Sequence, residues 1–436
     1  MSSVVLISPS RGRGVRYSPR GMSQDSNTTG IAPGAKYAVV VLTAMNLLNY
    51  MDRYVPSAVK ELFKEELHFT DAETSYPLTA FVVVYMIASP IFGSLADKAP
   101  RKILIAIGVA LWSAATAAAS FATNFTTFLL ARATVGIGEA AYATITPSII
   151  SDFYPPDRRN RILTIFYVAI PVGAAIGFTL GGVLGAHYGW RTAFLACGLP
   201  GIATAGLVLF MREPQRGRFD IGKPLTNVSW PVALADLSKR REFVIAVAGY
   251  TAVTFASGAL ADWFPAFLSR YRGFSVAEAG SLTGTTSALG GLVGTVLGGL
   301  LGDTLKGKTR QPYLALSAFS MAGAIVFASL ALLAHGKVEI GACMLAAQVL
   351  LWCYNGPVNA LIVNAVPSAL RTRAVSVSIF SIHLFGDAAS PSIVGFLADR
   401  TGSLHGSISI VPVAMAVGAG IWFYGWRSLP DKEAVA

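Results

Sequence analysis

Charged residues are scarce in this sequence: they make up 13% of its 436 positions, whereas soluble domains average about 25%. Hydrophobic residues make up 53% of the chain, and the mean hydropathy is +0.57. This balance excludes an ordinary soluble globular domain. The composition predicts a membrane protein.

Cysteine is scarcer still, and the common catalytic motifs are missing. The three cysteines, Cys197, Cys343 and Cys353, lie in apolar segments without CxxC or histidine-paired spacing, so neither a disulfide nor a metal site is predicted. The sequence contains no HExxH motif, phosphate-binding loop, dinucleotide-binding glycine pattern or nucleophile placed beside its base. We therefore expect neither an enzyme nor a cofactor.

Basic residues exceed acidic ones, giving a formal net charge of +11. The lysines and arginines cluster in short segments between apolar runs, as the positive-inside rule expects, which argues against nucleic acid as a partner. Residues 1–35 are rich in Ser, Gly and Arg and contain one acid, Asp25. They superficially resemble a transit sequence, but no amphipathic face runs through them, so a disordered cytoplasmic tail is predicted.

Long apolar runs are abundant, and each is close to the roughly 20 residues that cross a bilayer as a helix. Only helices satisfy their own backbone hydrogen bonds in lipid, so we predict an all-α membrane protein with twelve transmembrane helices. The predicted spans are 36–58, 76–97, 102–121, 126–151, 161–186, 191–211, 243–267, 277–302, 312–334, 338–366, 372–398 and 406–427.

Alternate loops differ in their basic content. On one side the loops hold eleven lysines and arginines, and the central segment 212–241 adds seven, whereas the loops of the other side hold seven in total. Basic loops stay in the cytoplasm. The more basic side, which includes both termini, is therefore predicted to be cytoplasmic.

The two halves of the chain repeat one another. GSLADKAPRK after helix 2 recurs as GLLGDTLKGK after helix 8, DRYVP recurs as DWFP, and FYPPDRRNR recurs as AVPSALRTR. Many transporters build two such halves around a midplane site. We predict six-helix bundles at 36–211 and 243–427, a cytoplasmic linker at 212–242 and a C-terminal tail at 428–436. The linker stretch SWPVALADLSKRREF fits either a short helix on the membrane surface or a plain connection.

Charged residues inside the predicted spans cost roughly 2.5 to 3.5 kcal/mol each at a helix centre. Asp52 and Arg53 are adjacent in helix 1, and Arg132 and Glu139 lie two turns apart on one face of helix 4, which Tyr142 continues. A carboxylate within reach of mobile arginines changes protonation as helices move. We predict that Asp52 and Glu139 couple to protons, that Arg53 holds an anionic headgroup when Asp52 allows it, and that Arg132 and Tyr142 line the site. The alternative is a static ion pair that holds helices together.

Two further polar positions lie in the second half. His383 and Asp387 are four residues apart in helix 11, which makes them a second candidate proton or headgroup site. The alternative for His383 is a hydrogen bond that packs helices. Asn355 in helix 10 is interpreted as a cavity or interhelical residue.

The stretch GSLADKAPRK resembles the signature Gly-x-x-x-Asp-Arg/Lys-x-Gly-Arg-Arg/Lys of the major facilitator superfamily. The matching residues are Gly93, Asp97, Lys98, Arg101 and Lys102, and Pro100 replaces the second glycine. The resemblance implies a cytoplasmic charge latch that holds one conformation and breaks in the other. Asp97 would pair with Arg101 or with a neighbouring helix, and Asp303 occupies the equivalent position in the second half.

The stretches LNYMDRY, GIGEAAYATITPSIISDFYP and HLFGDAASPSIVGFLAD together resemble the Spinster family of lipid transporters, over nearly all of 36–427. The resemblance implies the major facilitator fold and proton-linked movement of a sphingolipid-like or lysolipid-like amphiphile. The compact loops suggest a bacterial member in the cell inner membrane. We expect a monomeric alternating-access exporter whose partners are protons, an anionic lipid-like solute and membrane lipids. The alternatives are a multidrug or organic-anion carrier and a non-transporting lipid sensor.

Overall fold

The computed structural model describes residues 30–219, 229–367 and 370–430. Most of the predicted N-terminal tail, part of the predicted linker and residues 431–436 lie outside the described residues. Every regular element in the described part of the chain is helical. The helices of the N-terminal half are α1 (Ala35–Ala58), α2 (Lys60–Leu67), α3 (Asp71–Ala96), α4 (Arg101–Ala119), α5 (Phe125–Phe153), α6 (Pro156–Tyr188) and α7 (Trp190–Leu209).

The C-terminal half follows a short connecting helix, α8 (Trp230–Lys239). Its helices are α9 (Arg241–Tyr271), α10 (Val276–Thr304), α11 (Pro312–Leu333), α12 (Lys337–Trp352), α13 (Asn355–Asn364), α14 (Arg371–Ile382), α15 (Ser390–Thr401), α16 (Leu404–Ser407) and α17 (Ile410–Ser428). A π-helical turn, His383–Asp387, lies between α14 and α15.

Ten helical segments in the described part of the chain are long and apolar enough to cross a membrane, and three of them combine α12 with α13, α14 with α15 and α16 with α17. The helices α1 and α5, of 24 and 29 residues, are not among these ten. They are the two helices that carry the four charged residues singled out above. Length and composition alone therefore support ten spans, and the twelve-span topology remains a prediction.

Some helices begin at residues other than those predicted, because hydrogen bonds of polar side chains, rather than the apolar pattern, determine where they start. The span predicted to begin at 76 begins at Asp71, because Thr70 accepts a hydrogen bond from the Glu73 amide while the Glu73 side chain accepts one from the Thr70 amide. Ser275 and Glu278 form the same reciprocal cap at the start of α10. The two halves therefore begin these helices in the same way, in agreement with the internal repeat.

The predicted spans 338–366 and 372–398 are each broken in the structure. One stops at Trp352 and resumes at Asn355, and the other passes through the π-helical turn before α15. Each resumed helix has a proline, Pro357 or Pro391, in its first turn. Proline is tolerated there because its missing N–H has no intrahelical partner.

The connecting helix α8 lies in the stretch for which the sequence allowed either a short helix or a plain linker. Trp230, Val232 and Leu234 are exposed, whereas Ala233 and Leu237 are buried. The helix therefore carries apolar side chains that the described part of the protein does not cover.

Glycines allow α4 and α5 to pack closely, and one of them provides a stability test. A Cβ at Gly138 would lie 2.6 Å from the Trp112 amide nitrogen and 2.8 Å from its Cβ. Overpacking of this kind costs about 1 to 3 kcal/mol. We therefore expect Gly138→Ala to lower the thermal unfolding temperature of the purified protein. Gly206→Ala is the matched control, since nothing lies within 4 Å of a Cβ there. An unchanged unfolding temperature for Gly138→Ala would contradict the packing.

The two halves meet mainly through three helix pairs: α6 with α10, α3 with α15, and α1 with α9. Ser57 donates a hydrogen bond to Asp262 at 2.9 Å across the halves. Arg270 in the C-terminal half reaches both Glu61 and Asp71, each at 2.6 Å. These contacts lie where α1 and α9 end and α3 and α10 begin, and we call this the closed end of the molecule.

Candidate functional site

Two crossed ion pairs join α1 and α5 in the middle of the N-terminal half. Arg53 donates to Glu139 Oε2 from Nη2 at 2.6 Å and from Nε at 3.2 Å. Arg132 donates to Asp52 at 3.2 Å, and Asp52 also accepts a hydrogen bond from Thr116 of α4. The structure therefore brings together all four charged residues that the sequence singled out in these helices.

Helical geometry explains the crossing. Adjacent residues in an α-helix diverge by about 100°, so Asp52 and Arg53 face different neighbours and do not pair with one another. Arg132 and Glu139 lie two turns apart on one face, so one residue is placed to meet each member of the α1 pair. The sequence predicted that Asp52 determines when Arg53 is free to bind a headgroup. In the structure the ion-pair partner of Arg53 is Glu139 instead.

The four side chains differ sharply in their access to solvent. The side chains of Asp52 and Arg132 are each 1% exposed, that of Glu139 is 0% exposed, and that of Arg53 is 18% exposed. Arg53 is therefore the member of the cluster that an incoming ligand can reach. Its partner Glu139 is sealed behind it.

Aromatic rings surround the Arg53 guanidinium. Its central carbon lies 4.8 Å from the ring centre of Tyr50, 5.0 Å from that of Phe81 and 5.5 Å from that of Tyr85. Cation–π contacts of this kind stabilise a partly desolvated arginine. The rings hold Arg53 in place without occupying its hydrogen-bond donors, which stay available to a carboxylate or an anion.

The ion pairs leave some buried hydrogen-bonding capacity unused. Within the described residues, Oε1 of Glu139 and Nη2 of Arg132 have no hydrogen-bond partner although both are buried. Buried polar groups without partners are costly. The cluster is therefore not a fully satisfied structural network: a proton on Glu139 would remove the charge from its unpaired carboxylate oxygen, and an anion near Arg132 would accept the hydrogen bond that Nη2 lacks.

A cavity extends from this cluster toward the closed end. Arg53 and Arg132 line one part of it, and Lys60 and Asp262 line another. The Lys60 ammonium forms an ion pair with Asp262, and it lies 3.8 Å from the ring centre of Trp263. Burial lowers the pKa of Lys60, against the opposing effect of Asp262. In the sequence, Lys60 counts only as one of the seven basic loop residues on the less basic side. Asp262 appears only as the aspartate of DWFP, which repeats DRYVP.

The predicted latch residues lie at the opposite end of α3. Arg101 is buried and donates to Asp152 at 2.6 Å, with a longer contact of 3.5 Å to Glu213. Among the described residues, Asp97 has no ion-pair partner, so the expected pairing of Asp97 with Arg101 or with a neighbouring helix is absent in this conformation. Lys102 donates to carbonyl oxygens at the end of α7.

The other two predicted latch residues, Gly93 and Asp303, are not tightly packed against the other half. Among the described residues, a Cβ at Gly93 would meet only Thr144, at an ordinary 3.6 Å, so no close helix packing requires a glycine here. Asp303 pairs with Lys306 within its own half at 2.6 Å, and both side chains are more than half exposed. Neither position therefore joins the two halves in this conformation.

The remaining predicted site residues are spread over three places. His383 and Asp387 contact one another at 3.0 Å across the π-helical turn, and their side chains are 28% and 32% exposed. Asn355 accepts a hydrogen bond from Asn359 on its own helix. Tyr142 is fully buried and donates to the Leu42 carbonyl at 2.6 Å, so it presents no open face to a ligand here.

A second latch, which sequence reasoning missed, joins the halves at the closed end. Asp399 of α15 accepts hydrogen bonds from the Asp71 and Ala72 amides at 2.8 and 2.9 Å, so it caps the start of α3. A Cβ at Gly395 would lie 2.7 Å from the Asp71 carbonyl oxygen. The signal was present: the GFLADR stretch at 395–400 repeats the GSLADK stretch at 93–98.

Comparison with known proteins agrees with this architecture. The family model described as Major Facilitator Superfamily matches residues 42–386. The chain is 32% identical over 384 residues to the zebrafish protein named sphingosine-1-phosphate transporter SPNS2, covering 83% of this chain and 76% of the relative. It is 35% identical over 394 residues to human protein spinster homolog 1, covering 85% of this chain and 75% of that protein.

Solved structures give the same fold. A bacterial homolog to the human lysosomal transporter Spinster, in an inward-facing and unoccupied conformation, has a TM-score of 0.82 at 24% identity, covering 91% of this chain and 98% of that one. A D-xylose–proton symporter has a TM-score of 0.71 at 14% identity, covering 91% and 98%. From the family match and the extent of identity to its relatives, the chain belongs to the Spinster family of major facilitator superfamily membrane transporters.

Proposed function

We propose that the protein is a proton-coupled transporter that exports an anionic, lipid-like amphiphile by alternating access. The observation that carries the proposal is the pairing of a partly exposed arginine, Arg53, with a sealed carboxylate, Glu139, beside the cavity. The zebrafish relative is named for a phosphorylated sphingoid lipid, which supports an anionic headgroup. A multi-pass monomer in a bacterial inner membrane, with membrane lipids around it, is part of the same proposal.

The topology we propose counts α1 and α5 with the ten apolar helices, which gives twelve spans and places both termini in the cytoplasm. The charges of these two helices face protein partners and the cavity, as intramembrane charges do in transporters. In this orientation the closed end faces away from the cytoplasm. The conformation described above is then open toward the cytoplasm.

The cycle we propose follows from competition for Arg53. A proton that Glu139 takes up from the far side weakens its hold on Arg53 and is carried to the cytoplasmic side, where the anionic headgroup of the amphiphile takes the place of Glu139. The proton then leaves to the cytoplasm before the closed end opens, and the recovered charge of Glu139 competes for Arg53 and promotes release of the headgroup at the other side. Asp52 holds Arg132 throughout and keeps that second arginine directed at the site, so both acids contribute to coupling in different ways.

A ligand panel tests the substrate class. Thermal unfolding of the purified transporter is measured with lysophosphatidic acid, with the monoacylglycerol of the same chain length, with salicylate and with ethidium. We expect lysophosphatidic acid alone to raise the unfolding temperature. A larger shift from ethidium would favour a multidrug carrier, and one from salicylate an organic-anion carrier. Transport of lysophosphatidic acid into liposomes separates these carriers from a lipid sensor.

The two GxLAD stretches provide a conformational prediction. Asp97→Asn is expected to move the population away from the outward-open state, because the cytoplasmic latch forms there. Asp399→Asn is expected to move it the other way, because its cap at the start of α3 holds the closed end shut. A helix cap contributes about 1 kcal/mol, roughly a fivefold change in a two-state ratio.

Distances between spin labels at the exposed cytoplasmic ends of α7 and α10 would measure both shifts. Asp236→Asn is the control, since within the described residues Asp236 pairs with Arg240 on the surface of α8 and with no residue of the other half. Shifts of the same sign for Asp97→Asn and Asp399→Asn would refute the assignment of the two latches to opposite states.

A further inference from the structure

The ion pair between Lys60 and Asp262 joins the two halves of the transporter inside the protein. Their side chains are 1% and 4% exposed. Ser57 donates to one oxygen of Asp262 at 2.9 Å, and Ser75 lies 3.3 Å from the other. Lys60, Ser57 and Ser75 belong to the N-terminal half, whereas Asp262 and the Trp263 ring beneath the ammonium belong to α9.

Opening the closed end must separate these partners. When the halves part, Lys60 loses the Asp262 carboxylate and the Trp263 ring together, because both move with α9. Of the contacts in the structure, it keeps the Ser75 hydroxyl at 3.3 Å. Water that enters at the opened end solvates the ammonium only in part while the N-terminal half still encloses it, so the loss of its counter-charge is unfavourable. An anion that entered from the cavity would restore the lost charge pairing.

Lys60 also lies close to the headgroup site along the chain. Arg53 belongs to the last part of α1, Lys60 begins α2 immediately after Val59, and both residues line the same cavity. A headgroup that leaves Arg53 toward the closed end therefore meets Lys60 next.

We propose that Lys60 is a second anion site, which binds the anionic headgroup on the release side of the cycle and competes for it with Asp262. This inference rests on the proposed function and adds a second binding site to the substrate path. Asp262 pairs with Lys60 while the closed end is shut, and the headgroup pairs with Lys60 when that end is open. The headgroup and the Asp262 carboxylate therefore cannot bind the same ammonium at the same time.

The competition predicts effects of opposite sign for the two partners. Lys60→Gln removes the site, so it should weaken binding of lysophosphatidic acid. Asp262→Asn removes the competitor and keeps the site, so it should strengthen binding. We expect the dissociation constants of the two variants to differ by about tenfold, within the usual range of coupling between sites. If the pair were only a lock, both changes would break the same lock and would shift the affinity equally.

The double variant Lys60→Gln/Asp262→Asn keeps the test usable if a single change leaves a buried charge that prevents folding. It carries neither charge, and the site predicts that it binds more weakly than the wild type and than Asp262→Asn, whereas a simple lock predicts the same affinity as for Asp262→Asn. The measurement is the dissociation constant of lysophosphatidic acid for transporter in nanodiscs. The monoacylglycerol of the same chain length is the uncharged control ligand.

Inorganic phosphate distinguishes the two sources of the anion. If phosphate displaces lysophosphatidic acid from Asp262→Asn, the charge alone fills the site; if it does not, the acyl chain delivers the headgroup, and both results support the site. Equal affinities in Lys60→Gln, Asp262→Asn and the double variant would overturn it. If the wild type binds lysophosphatidic acid no better than monoacylglycerol, the proposed function itself fails, which is a different result.

Discussion

Proton-driven transport is expected to fall to the level of protein-free liposomes when Glu139 is replaced by Gln. The substitution keeps the shape of the side chain but removes the group that gains and loses a proton beside Arg53. Because Glu139 is fully buried and its carboxylate meets Arg53 at 2.6 Å, its charge decides whether Arg53 is paired or free. A neutral amide would leave Arg53 permanently available, so the proton gradient could no longer drive the cycle.

Transport at two internal pH values measures this effect. Glu65→Gln is the matched control, because Glu65 lies exposed on α2 and the same change there should leave transport intact. The unfolding temperature of Glu139→Gln, compared with that of wild type, shows whether the variant is folded. Transport by a folded Glu139→Gln protein with the pH dependence of the wild type would remove Glu139 from the coupling mechanism.

Replacing Arg53 by Ala is expected to weaken binding of lysophosphatidic acid by roughly 10-fold to 100-fold. Charge-assisted hydrogen bonds contribute about 1.5 to 3 kcal/mol, and each 1.4 kcal/mol is a factor of ten. Arg53 is the exposed member of the charge cluster and the one that a headgroup reaches first. The loss should be confined to charged ligands, so binding of the monoacylglycerol should change little.

Arg53→Lys separates charge from geometry. Lysine keeps the positive charge but loses the planar guanidinium that binds an anion through two parallel hydrogen bonds and stacks on aromatic rings. We expect an intermediate affinity, since the Tyr50, Phe81 and Tyr85 rings fit a flat cation. Arg191→Lys, at an exposed pair with Glu66, is the control. An affinity equal to that of the wild type in Arg53→Ala would make Arg53 a packing or gating residue.

Asp52→Asn addresses the other acid of the cluster. The sequence suggested that Asp52 controls Arg53 and that binding in this variant would lose its dependence on pH. The contact of Asp52 with Arg132 and Thr116 assigns it instead to holding Arg132. Binding at pH 5.5 and 7.5 distinguishes the two: pH dependence retained in Asp52→Asn but lost in Glu139→Gln supports control by Glu139, and the reverse supports control by Asp52.

The sequence was sufficient for the helical architecture because apolar length and period carry that information directly. It was less informative about where helices begin and break, because local hydrogen bonds and prolines determine those positions. Thr70 and Glu73 start α3 five residues before the apolar run suggests, and Pro357 and Pro391 mark restarts that a hydropathy window passes over. These features depend on single hydrogen bonds and single rings, which average hydrophobicity does not record.

The four charged members of the cluster in α1 and α5 were predictable as residues but not as pairs. Intramembrane charges are rare enough to identify Asp52, Arg53, Arg132 and Glu139 as a group. Their partners depend on how α1 and α5 are rotated against each other, and sequence spacing fixes only the neighbours within one helix. Lys60 escaped notice for a related reason: it follows the apolar run, and it is buried by tertiary contacts with α3 and α9.

Uptake of lysophosphatidic acid by inside-out proteoliposomes, with the cytoplasmic face outside, tests the central claim most directly. A proton gradient is imposed across the membrane, and wild type is compared with Glu139→Gln and with protein-free liposomes. Antiport coupled through Glu139 predicts that an acidic interior accelerates uptake by the wild type and that Glu139→Gln shows no acceleration. Uptake by the wild type that is the same with and without the gradient, or no greater than in protein-free liposomes, would contradict the account.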